Sequence, residues 1–339
     1  MKILHGPQNI GGMAGVLAKA QRQLGVDAYS YCWPTGSFQY SADYVVLARS
    51  RRGYAQDLAR FFLKEGWRYD GFQLYFGTSF LGSGLWDLPV LRATGKKIYF
   101  YFCGCDVRDS KLTIARYQYS ACAECWPMLC SPNRKEALRA AERYGDAVFV
   151  STPDLLEFVP NSVLLPQPLD LETFGPLRDQ ALFHAADRSN EEAIRIAHAP
   201  SNQAIKGTRH LVLAVEALRA QGLPIELVLV EGKSYFDAML LCASADIVVD
   251  QLLIGAYGQY AVEMMALGKP VICYIRDDLR SLYPSELPIV SATPADIAEV
   301  LYTLIRDRSR WALLGKEGIR YVDQYHDSVA VARRALEYY

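Results

Sequence analysis

The sequence has almost no net charge and no long apolar run. Its 36 lysine and arginine residues are balanced by 37 aspartate and glutamate residues, for a formal net charge of −1. A surface that tracks nucleic acid needs a basic excess, so nucleic acid is not expected as a partner. No segment reaches the roughly 18 to 20 apolar residues of a transmembrane span, and the first residues lack the apolar length of a signal peptide. We expect a cytoplasmic protein without a transmembrane segment, which leaves peripheral membrane contact through aromatic side chains open.

Two sequence patterns are also missing. No internal repeat is evident, and the stretch Gly11-Gly12-Met-Ala-Gly15 has neither the spacing nor the later acidic residue of a dinucleotide fingerprint. NAD binding is therefore not expected. The length of 339 residues predicts two domains. Short apolar strands alternate with helices along the chain, which indicates an α/β protein with parallel sheets.

The stretch from Gly258 to Val271 is the most informative part of the sequence. Gly258 opens a short predicted helix, Gly268 closes it, and Pro270 begins an apolar strand. The unpaired amides at a helix start can bind a phosphate. Glu263, inside the helix, can accept two hydrogen bonds from a ribose. The alternative interpretation is an ordinary βαβ helix with a surface glutamate.

A second informative stretch precedes it in the chain. A buried-strand pattern over residues 194–200 leads into a loop that contains Lys206, Gly207 and Thr208. The lysine can direct its ammonium group at a phosphate, and the glycine permits close approach of the backbone. Because Lys-Gly pairs are common, an ordinary loop is the alternative.

Together the two stretches resemble the retaining nucleotide-sugar glycosyltransferases of family 4 (glycosyl transferases group 1). Lys206-Gly207-Thr208 matches a K-G-T loop of that family. The helix motif G-x-x-x-x-E-A-M-A-x-G-x-P-V is matched at Gly258, Glu263, Met265, Ala266, Gly268, Pro270 and Val271. Two positions depart from the family: an earlier glutamate falls on Gly255, and an arginine falls near Ser201 or Asn202.

The resemblance implies the α/β GT-B fold, in which two Rossmann-like, doubly wound domains face each other across a cleft. It places an acceptor-side domain at residues 1–166 and a nucleotide-sugar-binding domain at 167–326. A C-terminal helix at 327–339 packs back on the first domain, or else simply ends the second. The implied reaction moves a sugar from UDP or GDP to a small-molecule or glycan acceptor with retention, and it requires no cofactor. The departures leave two alternatives open: a catalytically degraded relative that binds nucleotide as a partner or regulatory subunit, and a nucleotide-sugar 2-epimerase.

The resemblance and the ends of the predicted strands supply candidate site residues. Those predicted to bind the donor are Gly11, Gly12, Asn202, Lys206, Gly207, Tyr257, Gly258 and Glu263. Those predicted to act in catalysis are Lys206, Glu263 and Asp106. On the acceptor side we expect His5, Asp106 and Arg108, because the carboxyl ends of strands point at the ligand crevice of an α/β sheet. His198 shares that position. Structural histidines and an exposed turn with a local ion pair are the alternatives.

Five of the eight cysteines are concentrated in one short segment, residues 103–130. They are Cys103, Cys105, Cys122, Cys125 and Cys130. Their C-x-C and C-x-x-C spacings supply enough thiolates for a tetrahedral metal site. We predict a structural zinc in an insertion of the first domain. Buried thiols, disulfides and an iron–sulfur cluster are the alternatives.

Overall fold

The computed structural model describes residues 1–34, 40–46, 50–125, 130–187 and 193–339. The strands in these residues are β1 (Lys2–Gly6), β2 (Asp27–Cys32), β3 (Tyr44–Val45), β4 (Gly71–Tyr75), β5 (Lys97–Phe102), β6 (Ala147–Val150), β7 (Val163–Leu164), β8 (Ile194–His198), β9 (Ile225–Leu229), β10 (Ile247–Val249) and β11 (Val271–Ile272).

Helices connect these strands. The α-helices are α1 (Met13–Gln23), α2 (Arg51–Lys64), α3 (Leu88–Ala93), α4 (Ser110–Arg116), α5 (Ala121–Glu124), α6 (Arg134–Tyr144), α7 (Leu171–Asp187), α8 (Gln203–Lys206), α9 (Thr208–Ala220), α10 (Tyr235–Ala243), α11 (Gln259–Ala266), α12 (Ile297–Arg306), α13 (Ser309–Tyr325) and α14 (Ser328–Leu336). Short 3-10 turns lie at Ile10–Gly12, Gly66–Arg68, Pro153–Glu157 and Asp277–Leu282. Within the described residues, no helix combines the length and the apolarity that crossing a membrane requires.

The chain divides into two compact units. Unit 1 comprises the described residues of 1–108, 130–168 and 328–339, and unit 2 those of 109–129 and 169–327. The grouping differs from the expected domains in the segment after residue 108, which we expected in the first domain as part of a cysteine-rich insertion. The physical reason is packing: α5 lies against α8, and the Ala121 amide donates to the Leu253 carbonyl at 2.9 Å.

Unit 1 contains a seven-stranded sheet in the order β3-β2-β1-β4-β5-β6-β7, and all of its strand pairs are parallel. Its central strands are rich in buried aromatic residues such as Phe72 and Phe100, as expected for a sheet covered on both faces. The strand order reverses between β1 and β4, which is where sheets of this type form a ligand crevice.

The C-terminal helix α14 belongs to unit 1 and packs against α1. At its end, the Tyr339 ring stacks on the Tyr99 ring with 4.0 Å between their centroids. The Tyr339 hydroxyl also donates a hydrogen bond to Gln73. Aromatic stacking and a partly buried hydrogen bond therefore attach the last residues of the chain to the first sheet.

Unit 2 contains a four-stranded parallel sheet in the order β11-β10-β8-β9. Here the order reverses between β8 and β10. Beyond β11, Val290 pairs with Ile272 through an isolated parallel bridge. The reversal in this sheet brings the loops that follow β8 and β10 to the same edge, and these loops carry the main candidate residues.

Candidate functional site

The loop after β8 holds Lys206 through two local features. The Asn202 side chain accepts a hydrogen bond from the Ile205 amide at 3.0 Å and so caps the start of α8. Gly207 ends α8 with a φ of 75°, a left-handed conformation that favours glycine. Lys206 is the last residue of α8, so the Asn202 cap at the start of the helix and Gly207 at its end together fix the position of the lysine.

Lys206 contacts two residues of the loop after β10. Its Nζ donates to Asp250 Oδ1 at 2.7 Å and to Gln251 Oε1 at 2.8 Å. The Asp250 side chain is completely buried, and that of Lys206 is 13% exposed. Our sequence interpretation did not include Asp250 or Gln251. The signal was present, because both follow β10 directly at the carboxyl edge of the sheet.

Gly258 lies next to this ion pair. Its amide donates to Asp250 Oδ2 at 2.9 Å, so the first amide of the predicted phosphate site already has a protein acceptor. A Cβ atom at Gly258 would lie 3.5 Å from both Lys206 Nζ and Asp250 Oδ2. The missing side chain thus leaves the space beside the ammonium group open, between the lysine and the start of α11.

Glu263 is buried in α11 and is not the surface residue of the alternative interpretation. Its Oε1 accepts a hydrogen bond from the Tyr235 hydroxyl at 2.8 Å. Burial raises the pKa of Glu263 to about 8, and the negative charge of Asp250 adds to the effect, whereas hydrogen bonds from Tyr235 and Gln259 oppose it. The carboxyl group is therefore mainly protonated near neutral pH, and a protonated carboxyl donates one hydrogen bond as well as accepting.

Gly255, which stands where the family has a glutamate, is closely packed against Arg276 in unit 2. Gly255 has a φ of 83°, and a Cβ atom there would lie 2.6 Å from Arg276 Cγ. The Arg276 guanidinium pairs with Asp278 at 2.9 and 2.7 Å and lies 3.7 Å from the centre of the Tyr117 ring. The arginine side chain occupies the space that a glutamate at position 255 would need.

Two further candidates in unit 2 have structural contacts. The Tyr257 hydroxyl hydrogen-bonds to Tyr321 at 3.1 Å and to His326 at 2.9 Å, so its side chain belongs to the core. His198 bonds through Nδ1 to the Val249 carbonyl at 2.7 Å and through Nε2 to Thr208 at 2.8 Å. Burial lowers the pKa of His198 to about 4. His198 therefore fits the structural alternative.

In unit 1 the glycine loop forms the start of α1. Gly11 and Gly12 adopt left-handed conformations, with φ of 57° and 79°. Asn9, which the sequence interpretation missed, caps the helix: its Oδ1 accepts from the Ala14 amide at 3.1 Å and from the Gly15 amide at 3.5 Å. These two amides, in the first turn of α1 beside Gly11 and Gly12, therefore have a protein acceptor in this structure.

His5 is fully buried in the first sheet. Its ring nitrogens bond to the Tyr75 hydroxyl at 2.8 Å and to Gln21 Oε1 at 2.9 Å. Burial lowers the pKa of His5 to about 4, so the ring is neutral at ordinary pH. The structure places His5 in a satisfied core network.

Asp106 and Arg108 are likewise buried, rather than in an exposed turn. Asp106 Oδ1 accepts from the Gly104 amide at 2.7 Å and from the Cys103 amide at 3.2 Å. Burial raises the pKa of Asp106 to about 6, although these hydrogen bonds lower it. Arg108 Nε donates to Asp154 Oδ2 at 3.2 Å, a partner that the sequence interpretation missed.

The predicted zinc ligands are not gathered into one site. Cys103, Cys105 and Cys130 belong to unit 1, and Cys122 and Cys125 to unit 2. Over the described ranges, which include all five cysteines, no three histidine, cysteine, aspartate or glutamate side chains form a group that could hold a metal ion. The cysteines in this structure do not fit the predicted zinc site.

Comparison with known proteins identifies the fold. No protein-family model and no curated protein matches the sequence. Sucrose-phosphate synthase from Thermosynechococcus elongatus matches with a TM-score of 0.65 at 15% identity, over 99% of this chain and 97% of that one. HepE of Anabaena in complex with UDP and glucose matches with a TM-score of 0.63 at 15% identity, over 99% and 98%. The catalytic domain of starch synthase IV from Arabidopsis thaliana, bound to ADP and acarbose, matches with a TM-score of 0.60 at 11% identity, over 100% and 98%.

At such low identity the likeness establishes the fold alone. The matched proteins are GT-B glycosyltransferases, and the similarity extends over nearly the whole of this chain. The fold class predicted from the sequence is thereby confirmed: this is an α/β protein with the GT-B fold.

Proposed function

We propose that the protein is a retaining glycosyltransferase that moves a sugar from a nucleoside diphosphate, UDP or GDP, to a small-molecule or glycan acceptor. The observation that carries the proposal is the arrangement of Lys206, Gly258 and Glu263 at the point where the order of the second sheet reverses. Ligands of open α/β sheets bind at such points. The structures of HepE with UDP and of starch synthase IV with ADP support a nucleoside diphosphate as the ligand.

The arrangement has suitable groups for a diphosphate. Lysine has three N–H donors, and the contacts with Asp250 and Gln251 use two of them, which leaves one for a phosphate oxygen. Because Asp250 is paired with Lys206, its negative charge is compensated where the phosphates approach. Glu263 is the proposed ribose contact, through one donated and one accepted hydrogen bond.

The proposed reaction requires little covalent participation by the protein. The bond between the anomeric carbon and the leaving phosphate oxygen breaks, and the acceptor oxygen bonds to that carbon on the same face. The acceptor proton goes to the leaving phosphate. Lys206 and the amides of α11 stabilise the charge that grows on the diphosphate, and one well-placed donor contributes about 3 to 4 kcal/mol to such a step.

A thermal-shift experiment tests donor binding. UDP, GDP, dTDP, ADP and their sugar conjugates are added to the wild type, to Lys206→Ala and to the control Lys316→Ala, which removes an exposed lysine from α13. A ligand at about a hundred times its Kd adds about 2.7 kcal/mol of stability and raises the melting temperature by a few degrees. We expect this shift in the wild type and the control and its loss in Lys206→Ala. No shift with any nucleotide would refute the proposal.

A turnover experiment separates transfer from binding alone. The sugar conjugate that binds best is incubated with the protein and candidate acceptors, and release of the nucleoside diphosphate and the anomeric configuration of the product are measured. Release with retained configuration is expected. Binding without release would instead support the partner or regulatory subunit, and a sugar inverted at C2 would support the epimerase.

A further inference from the structure

Asp250 connects two groups of the proposed donor site that lie on different segments of unit 2. It is the first residue after β10 and is completely buried. Its Oδ1 accepts from Lys206 Nζ at 2.7 Å, and its Oδ2 accepts from the Gly258 amide at 2.9 Å. One carboxylate thus holds both the ammonium group at the end of α8 and the start of α11.

Burying a charged carboxylate costs free energy unless other groups compensate its charge. A buried carboxylate without a partner is strongly unfavourable, and here a lysine and a backbone amide compensate it. Lysine has a flexible stem and a rotatable ammonium group, so by itself it does not present its donors in a fixed direction. Asp250 and Gln251 together supply that direction by fixing two of the three donors of Lys206.

We propose that Asp250 is a positioning residue of the donor site, which fixes the Lys206 ammonium group and the first turn of α11 where both meet the donor diphosphate. This inference rests on the proposed function. Asp250 does not itself contact the donor, because its negative charge would repel a phosphate. It acts through Lys206 and Gly258.

The test compares a nucleotide with its nucleoside. The Kd values of UDP and uridine, and of GDP and guanosine, are measured by calorimetry, and the nucleoside-to-nucleotide ratio of Kd isolates the contribution of the phosphates. The variant is Asp250→Asn, and the matched control is Asp246→Asn. Asp246 precedes β10 at its opposite end, where its carboxylate accepts from the Arg195 amide at 2.7 Å.

We expect Asp250→Asn to lower the ratio about tenfold or more, because a charge-assisted contact with the phosphates is misdirected. Nucleoside affinity should change less than about twofold, and Asp246→Asn should keep the wild-type ratio. An equal loss of affinity for nucleoside and nucleotide would mean a merely structural role. A higher ratio would mean that Asp250 competes with the phosphates for Lys206. Either result, or an unchanged ratio, overturns the proposal.

A second variant keeps the test decisive if Asp250→Asn does not fold. Asp250→Glu keeps the charge but lengthens the side chain by one methylene group, so the ammonium group is displaced while its partner remains. The ratio should again fall, and a wild-type ratio in this variant contradicts a positioning role. If the wild type binds neither UDP nor GDP, the proposed function itself fails, and this result is seen before any variant is compared.

Discussion

Replacing Gly255 by alanine is expected to destabilise unit 2 by about 2 to 5 kcal/mol. The glycine has a φ of 83°, and its added Cβ would lie 2.6 Å from Arg276 Cγ and 2.7 Å from Arg276 Cδ. The left-handed conformation costs a residue with a Cβ about 1 to 2 kcal/mol. Overpacking of a buried site adds about 1 to 3 kcal/mol.

The Arg276 side chain cannot move aside without losing contacts. Its guanidinium is held by Asp278 at 2.9 and 2.7 Å and lies 3.7 Å from the centre of the Tyr117 ring. Its amide donates to the Gly255 carbonyl at 2.9 Å, which keeps the two backbones together. Rotation of the Arg276 side chain would therefore relieve the clash only by losing the contacts with Asp278 and Tyr117.

Urea unfolding measures the change, and Gly222→Ala is the matched control. Gly222 also has a positive φ, 88°, but no described atom lies within 4 Å of its added Cβ. The control should lose only the conformational part, about 1 to 2 kcal/mol. The double variant Gly255→Ala with Arg276→Ala should show less than the sum of the two single losses, since the clash is gone. If Gly255→Ala and Gly222→Ala agree within about 0.5 kcal/mol, the steric argument is wrong.

The same packing changes how the departure from the family is tested. A glutamate at position 255 would restore the residue expected from the resemblance, and higher sugar turnover would then indicate a degraded enzyme. The structure predicts instead that Gly255→Glu loses stability, since Arg276 fills the space. An interpretable comparison therefore combines Gly255→Glu with Arg276→Ala.

Three further predictions concern buried ionisable groups. Burial raises the pKa of Glu263 from 4.5 to about 8, so the wild type should lose stability relative to Glu263→Gln as pH rises from about 5 to 9; parallel urea-unfolding profiles would contradict this. Burial lowers the pKa of His5 and of His198 from 6.5 to about 4, so the free energy of unfolding should fall as the pH drops from 6.5 to about 4. NMR near pH 5.5 should show both imidazole rings neutral. Protonated rings at that pH would refute the prediction. Arg108→Ala should cost about 3 to 5 kcal/mol because it leaves the buried Asp154 carboxylate without its ion-pair partner; a loss below about 1 kcal/mol in urea unfolding would oppose this.

The sequence predicted the fold class correctly because hydrophobic periodicity and glycine placement are local properties. The apolar runs at β5 and β8 are long enough to identify buried strands. The strand β2 is not evident from the sequence, because Asp27 and Ser30 interrupt its apolar pattern. Ser30 is satisfied by a hydrogen bond to Asp43 at 2.8 Å, a contact made only after folding.

The candidate site was only partly predictable. Lys206, Gly258 and Glu263 were proposed from the sequence because they lie in motifs whose spacing along the chain is fixed. Asp250 was not, because its importance depends on contacts with residues that precede and follow it at a distance in sequence. The cysteines are the opposite case, since they lie close in sequence but divide between two units.

By itself the sequence determined the alternation of strands and helices, the positions of the turns and the position of the glycine-containing motifs from which we propose a donor site, because each depends on neighbouring residues. Only the tertiary structure decided which charges are paired and which carboxyl groups have a pKa raised by burial. Pairing and burial depend on which loops the sheet order brings together: the reversal between β8 and β10 places Asp250 against Lys206, and the fold buries Glu263 beside them.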